Sequence, residues 1–152
     1  GLIPAGELPA WKKMLAGVLS RLAPSLVMSN GLNSSDLSHD QAVVDNYVND
    51  PLVHDRISSR WVVEFIRAGA DSLSRAAELS MPLLIIHGAD DKIVDFRGSK
   101  EVMDHASSMD KEFYLFEGLY HETMNEFSPE KEKVVNSIRE WIVKQIESRQ
   151  EL

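Results

Sequence analysis

The sequence predicts an α/β protein: a block of helices leads into a strand–helix–strand–helix end. Three observations predict it. Met81-Pro82-Leu83-Leu84-Ile85-Ile86 is an apolar run short enough to be a buried strand, and it stops at the polar turn His87-Gly88-Ala89-Asp90-Asp91. A second short run, Phe113-Tyr114-Leu115-Phe116, ends at Glu117-Gly118-Leu119-Tyr120-His121. Between them lies an amphipathic stretch long enough for a helical crossover, which makes the strands parallel and the connection right-handed. Both loops then leave the sheet at its carboxyl edge, where open α/β sheets place their ligands.

Taken in order, Gly1 to Pro9 holds two Gly and two Pro and reads as a connector. Trp11, Met14, Leu15, Val18, Leu19 and Leu22 follow at spacings of three and four, one face of a helix that Pro24 ends or kinks. That stripe has two readings, core packing or a lid over an apolar pocket. Ser25 to Leu37 is a Ser- and Asn-rich loop with the turn signal Asn30-Gly31. Ser38 with Gln41 three residues on reads as a capping box for a second helix, with Val43, Val44, Tyr47 and Val48 inward. Asn49-Asp50-Pro51 breaks it. A third helix spans roughly Ser58 to Ala77, so the reading from Trp11 to Ala77 is all helix and no strand. After the first strand, a helix near Ser99 to Ser108 turns Val102, Met103, Ala106 and Met109 inward, with Asp95 just ahead of it. After His121, Ser128-Pro129-Glu130 marks the start of a long last helix.

Composition excludes several classes. The chain has 152 residues, 43% of them hydrophobic, a globular figure. A formal charge of −8 argues against a nucleic-acid partner, whose phosphates need clustered Lys and Arg. With no Cys there is no disulfide scaffold, no thiol nucleophile and no thiolate metal site. No apolar run approaches the ~18 residues of a membrane span, and no signal peptide is visible. The chain opens at Gly1 rather than Met, and two strands cannot form a sheet buried on both faces. The expectation is therefore a piece of a larger α/β domain.

The chemistry-bearing residues gather at the two loops. An acid and a histidine at one sheet edge are two thirds of a nucleophilic triad, in which the acid holds the imidazole and the imidazole takes a proton. Asp90 and Asp91 compete for the acid by position, while Asp95 reads as a helix cap; turn and capping roles would suit all three. His121 is the candidate base. His39 and His54 read as surface or capping residues, His105 as solvated and His87 as a structural hydrogen-bonding residue. No His-x-x-x-His or His-Glu-x-x-His pair suggests zinc. The nucleophile elbow Gly-x-Ser-x-Gly is absent.

Pro82 to Asp91 resembles the acid-bearing strand and loop of the α/β-hydrolase superfamily, and Tyr114 to His121 resembles its histidine segment. Within that superfamily the chain is most similar to the monoacylglycerol lipase and lysophospholipase group, whose cap has an Asp-Pro-Leu feature matched by Asp50-Pro51-Leu52. The resemblance covers nearly the whole chain but only the C-terminal half of the family's domain. It implies Asp91 as triad acid, His121 as triad base, residues 1–80 as cap helices and the return to the sheet, and residues 81–152 as the last two parallel strands with their covering helices. It implies a serine hydrolase of carboxylic esters with apolar acyl chains, needing no cofactor and no metal, with its serine and oxyanion loop in a missing N-terminal half. That half and an acyl ester or lipid are the expected partners. Trp11, Met14, Leu15, Val18, Leu19 and Leu22 become candidates for lining an acyl pocket. A cytoplasmic protein is expected, with weak peripheral contact to lipid through the cap as its only membrane association. Rival readings are another activity on the same fold (peptidase, haloperoxidase, C–C hydrolase or acyltransferase) and a non-catalytic α/β module.

Overall fold

A computed structural model describes residues 10–150. The connector expected at Gly1 to Pro9 and the last two residues lie outside the described residues. Helix α1 (Ala10–Leu22) leads to strand β1 (Val27–Ser29), a 3-10 turn (Ser34–Asp36), helix α2 (Gln41–Asn49), strand β2 (Arg56–Ser58) and helix α3 (Ser59–Ser74). Strand β3 (Leu83–Gly88), helix α4 (Phe96–His105), strand β4 (Lys111–Phe116), a 3-10 turn (Thr123–Asn125) and helix α5 (Glu130–Gln150) complete the chain. The second half is a parallel strand–helix–strand unit followed by a long helix, the arrangement that the sequence reading expects.

The segment expected to be wholly helical contains two strands. β1 and β2 pair antiparallel, Met28 opposite Ile57. At three residues each they have no room for an alternating pattern, so the sequence carries no signal for them. Polar groups make the ribbon. Ser59 is fully buried and its hydroxyl donates to the Ala23 carbonyl at 2.7 Å, while the Ser59 N–H donates to Leu26 O at 2.9 Å. The start of α3 is thereby tied to the end of α1, and the two helices pack together. Ser58 caps α3 by accepting from the Trp61 N–H.

The cap of α2 differs from the one expected. Asp40, not Ser38, accepts the Ala42 N–H at 2.9 Å. The Ser38 hydroxyl is committed elsewhere, donating to Asn125 O at 2.8 Å from 87 residues away. Its oxygen accepts the Asp40 N–H at 2.9 Å, so Ser38 bonds one residue short of the helix start while its proton goes to a distant partner. Of the expected inner face of α2 only Val44 is buried; Val48 is 61% exposed.

β3 and β4 run parallel in register, Leu83 opposite Lys111 and Gly88 opposite Phe116. Their apolar positions are half-buried rather than fully enclosed. α4 packs against both strands. Asp95 is its N-cap, accepting the Arg97 N–H at 2.8 Å, and Lys111 donates to the Met103 and Ala106 carbonyls at its other end. These contacts satisfy backbone groups that a helix leaves unpaired at each terminus. Met109, expected inward, is fully exposed beyond the helix. α5 is joined to the start of β4 by Lys144 on Glu112 (2.7 Å) and Gln145 on Asp110 (2.6 Å), and it buries Val134.

Two glycines bring the loops at the ends of β3 and β4 together. Gly118 has φ +75°, in the left-handed region where a side chain is strained, and it turns the chain back after β4. Gly88 ends β3 where the histidine loop crosses it; a Cβ there would stand 2.3 Å from both the Leu119 and the Tyr120 carbonyl oxygens. Both obstacles are backbone, so they cannot rotate away. Gly88→Ala should therefore destabilise the protein by about 1–3 kcal/mol or more by forcing the two loops apart. Urea unfolding checks it, and an unchanged midpoint would show that the loops separate freely.

Candidate active site

The two loops are fastened backbone to backbone. The Ala89 N–H donates to Phe116 O at 2.9 Å and the Asp90 N–H to Leu119 O at 3.0 Å. Asp90 is thereby used through its main chain, and the residue is exposed. Asp91 points the other way. Its side chain is 3% exposed; it accepts three hydrogen bonds and has a fourth polar neighbour in His87. Oδ1 takes the N–H groups of Ile93 (2.8 Å) and Val94 (2.9 Å). Oδ2 takes His121 Nδ1 at 2.8 Å, and His87 Nε2 stands 3.1 Å from the same oxygen. Burial pushes the Asp91 carboxyl up, but the bonds from His121, His87, Val94 and Ile93 outweigh it, and the group lies well below the usual carboxylate range. It is an anion held on both oxygens.

The tautomers follow from the acceptors. A carboxylate that is ionised only accepts, so His121 carries its proton on Nδ1 and its lone pair on Nε2. No described residue bonds Nε2, and the side chain is 37% exposed. The hydrogen bond to Asp91 stabilises the imidazolium and raises the His121 pKa above its ordinary value of 6.5, against partial burial, which lowers it. His87 Nε2 faces two acceptors, Asp91 Oδ2 and the Val94 carbonyl at 3.1 Å, so the proton is on Nε2. Its Nδ1 then accepts from the hydroxyl of Ser99, buried on α4, at 2.9 Å. His87 is thus buried, with both ring nitrogens bonded, on the inner side of Asp91, while His121 faces outward.

The structure therefore brings Asp91 and His121 together and leaves Asp95 as a cap and Asp90 outside. His87 does make the structural hydrogen bonds expected of it. That one of them reaches Asp91 was not foreseen, although the i, i+4 spacing across a tight turn is the signal that could have found it. His105 donates to the Glu101 carbonyl on its own helix, and His54 Nδ1 accepts the Arg56 N–H. His39 is not a simple surface residue: it bonds the buried Glu126, a residue that sequence reasoning passed over.

A cleft of about 200 Å3 opens beside the acid loop. Its lining includes Leu32, Leu37, Tyr47, Val48, Val53 and Ile93. The α1 stripe is not part of it. Trp11, Met14, Leu15, Val18 and Leu22 lie along α1 with 45–80% of their surface exposed. Periodicity showed which face of α1 is apolar, and core packing within these residues does not cover that face. Among the described residues no helix is long and apolar enough to cross a membrane.

The profile of the serine aminopeptidase S33 family matches residues 2–128. A monoacylglycerol lipase of Mycolicibacterium smegmatis is 36% identical over 130 residues, which make up 85% of this chain and 45% of that protein. The crystal structure of the Paleococcus ferrophilus monoacylglycerol lipase matches with a TM-score of 0.85 at 32% identity, over 94% of this chain and 55% of that one. A soluble variant of the Saccharomyces cerevisiae monoglyceride lipase, in complex with a substrate analog, matches with a TM-score of 0.75 at 26% identity, over 89% and 47%. The chain spans about half the length of these relatives.

Proposed function

The chain belongs to the serine aminopeptidase S33 family of α/β-hydrolases, and on that premise we propose that it supplies the acid and base of a serine hydrolase for carboxylic esters of apolar acyl chains, of the monoacylglycerol lipase or lysophospholipase type. The observation that carries the proposal is His121, held through Nδ1 by a buried anion with its basic Nε2 turned outward. An imidazole so held accepts a proton from an attacking hydroxyl and returns it to the leaving alcohol, while the carboxylate stabilises the imidazolium between the two steps. The attacking serine and the oxyanion donors would come from outside these 152 residues, since no Gly-x-Ser-x-Gly lies within them. The 152 residues by themselves should then be inactive.

In this reading residues 1–80 form the cap and the return to the sheet, and residues 81–152 carry the acid and base. The cleft at Leu37, Val53 and Ile93 adjoins the acid loop through Ile93, and its mixed apolar and polar lining offers room for part of a substrate. The apolar face of α1 (Trp11, Met14, Leu15, Val18 and Leu22 exposed, Leu19 half-buried) offers surface for the rest of an acyl chain or for weak contact with lipid. The names of the relatives support a lipid ester, and the family's own description points to peptide amides as the second reading.

The test is a comparison of substrates on the complete protein that contains this chain. Monoacylglycerol should be hydrolysed with a kcat/KM far above that for an aminoacyl p-nitroanilide; the reverse order would move the assignment to the peptidase side. The pH profile should show its own signature. The base works only when neutral, and its pKa is raised. The acid limb of kcat/KM should therefore lie above pH 6.5, with activity present above that limb and lost as pH falls through it.

A further inference from the structure

Glu126 is a buried carboxylate that pairs with no Lys or Arg among the described residues, and the loop that carries His121 is built around it. Its side chain is 2% exposed. Oε1 accepts the Tyr120 N–H at 2.9 Å, and Oε2 accepts the His39 N–H at 3.0 Å. His39 Nδ1 lies 3.1 Å from both oxygens. Ser38 Oγ stands 3.4 Å from Oε2, but its single proton goes to the closer Asn125 carbonyl at 2.8 Å. Two backbone amides and an imidazole therefore balance this charge, and they come from two segments more than eighty residues apart.

The bonds fall on the neighbours of His121. The Tyr120 N–H goes to Glu126, and the Glu122 N–H goes to the Leu37 carbonyl at 2.8 Å. The residues on both sides of His121 are thus pinned to one clasp, Leu37–His39 with Glu126, while the His121 ring bonds Asp91 and no other of the described residues. The Tyr120 ring stacks on His39 at 3.7 Å between centroids, and its hydroxyl accepts from Lys92, next to Asp91, at 3.0 Å. The clasp therefore touches both loops of the site.

We propose that Glu126 is a positioning residue that sets where His121 stands, and that it makes this position depend on the Leu37–His39 segment. The proposal rests on His121 being the base. Leu37 also lines the cleft, so a shift of that segment moves the wall of the cleft and the base together. Misplacement by about 1 Å costs on the order of a hundredfold in rate when the displaced group is catalytic.

Glu126→Gln keeps the shape and puts an amide N–H2 against one set of N–H donors, so it disturbs the clasp without opening a cavity. In the complete protein it should lower kcat for a monoacylglycerol roughly 10- to 100-fold with KM changed less than about threefold. The acid limb of kcat/KM should move down toward 6.5, because a displaced imidazole loses part of its bond to Asp91. His39→Ala, at a half-exposed side chain, should change both in the same direction by a smaller amount, and it decides the matter if Glu126→Gln does not fold. Wild-type kcat and an unmoved acid limb in the folded variants, whatever their melting temperature, would overturn the positioning role. His121→Ala in the same series separates the two readings. Full activity there overturns both; its loss beside a wild-type-like Glu126→Gln overturns this one alone.

Discussion

His121→Ala in the complete protein should lower kcat/KM for a monoacylglycerol by at least about 10³-fold, which is about 4 kcal/mol of transition-state stabilisation. The expectation rests on where His121 stands: at the carboxyl edge of the parallel strands, one ring nitrogen is fixed by the buried Asp91 and the other is unbonded among the described residues. His39 is held in a similar way by Glu126, but on the segment before α2 and with its ring stacked on Tyr120. His87 contacts the same Asp91 oxygen, yet both of its nitrogens are spent, on Asp91 with Val94 and on Ser99. His87→Ala should therefore cost far less in rate, and its main effect should be on stability, since it leaves the buried Ser99 hydroxyl without this acceptor. His105→Ala should change neither. Steady-state kinetics with thermal melts on the three variants read this out. A loss in His87→Ala as deep as in His121→Ala, with the fold intact, would exchange the roles of the two rings.

The contrast between these histidines shows what could be read from the sequence. β3, β4 and the loops after them were legible, because a short apolar run closed by a Gly-containing polar turn has few other structures available. That Asp91 and His121 meet follows from two parallel strands delivering their loops to one edge. The Asp95 cap was legible because it is local. Features made by distant partners were not. Ser38 carries a good capping signal, yet its hydroxyl bridges the Asp40 N–H and the distant Asn125 carbonyl, and the cap falls to Asp40. Glu126 follows His121 by five residues with no pattern of its own, and its meaning comes from His39, far away in the chain. β1 and β2 escaped because a three-residue strand held by backbone and serine hydrogen bonds has no hydropathic period. The α1 stripe shows the limit from the other side: period 3.6 identifies an apolar face but not what covers it.

The acids can be separated by one pair of variants. Asp91→Asn should lower kcat/KM about 10³- to 10⁴-fold. Asn Oδ1 can keep the Ile93 and Val94 N–H groups, which leaves its N–H2 facing two rings that both donate. His121, being more exposed, can yield: it accepts at Nδ1 and moves its proton to Nε2, where a base must have a lone pair. The raised pKa should go with the anion that raises it, so the residual activity should show an acid limb lower than wild type. His87 cannot yield so easily, because the Val94 carbonyl still requires its Nε2 proton, so a moderate loss of melting temperature should accompany the loss of rate. Asp95→Ala should do the opposite. Asp95 caps α4 and pairs with Arg97, and its removal should cost about 0.5–2 kcal/mol of stability with a rate change within about threefold. Asp90→Asn, at an exposed side chain, should leave both near wild type. If Asp95→Asn loses activity while Asp91→Asn keeps it, the carboxylate that orients His121 in solution is not the one bonded to it in this structure, and the assignment of the acid falls.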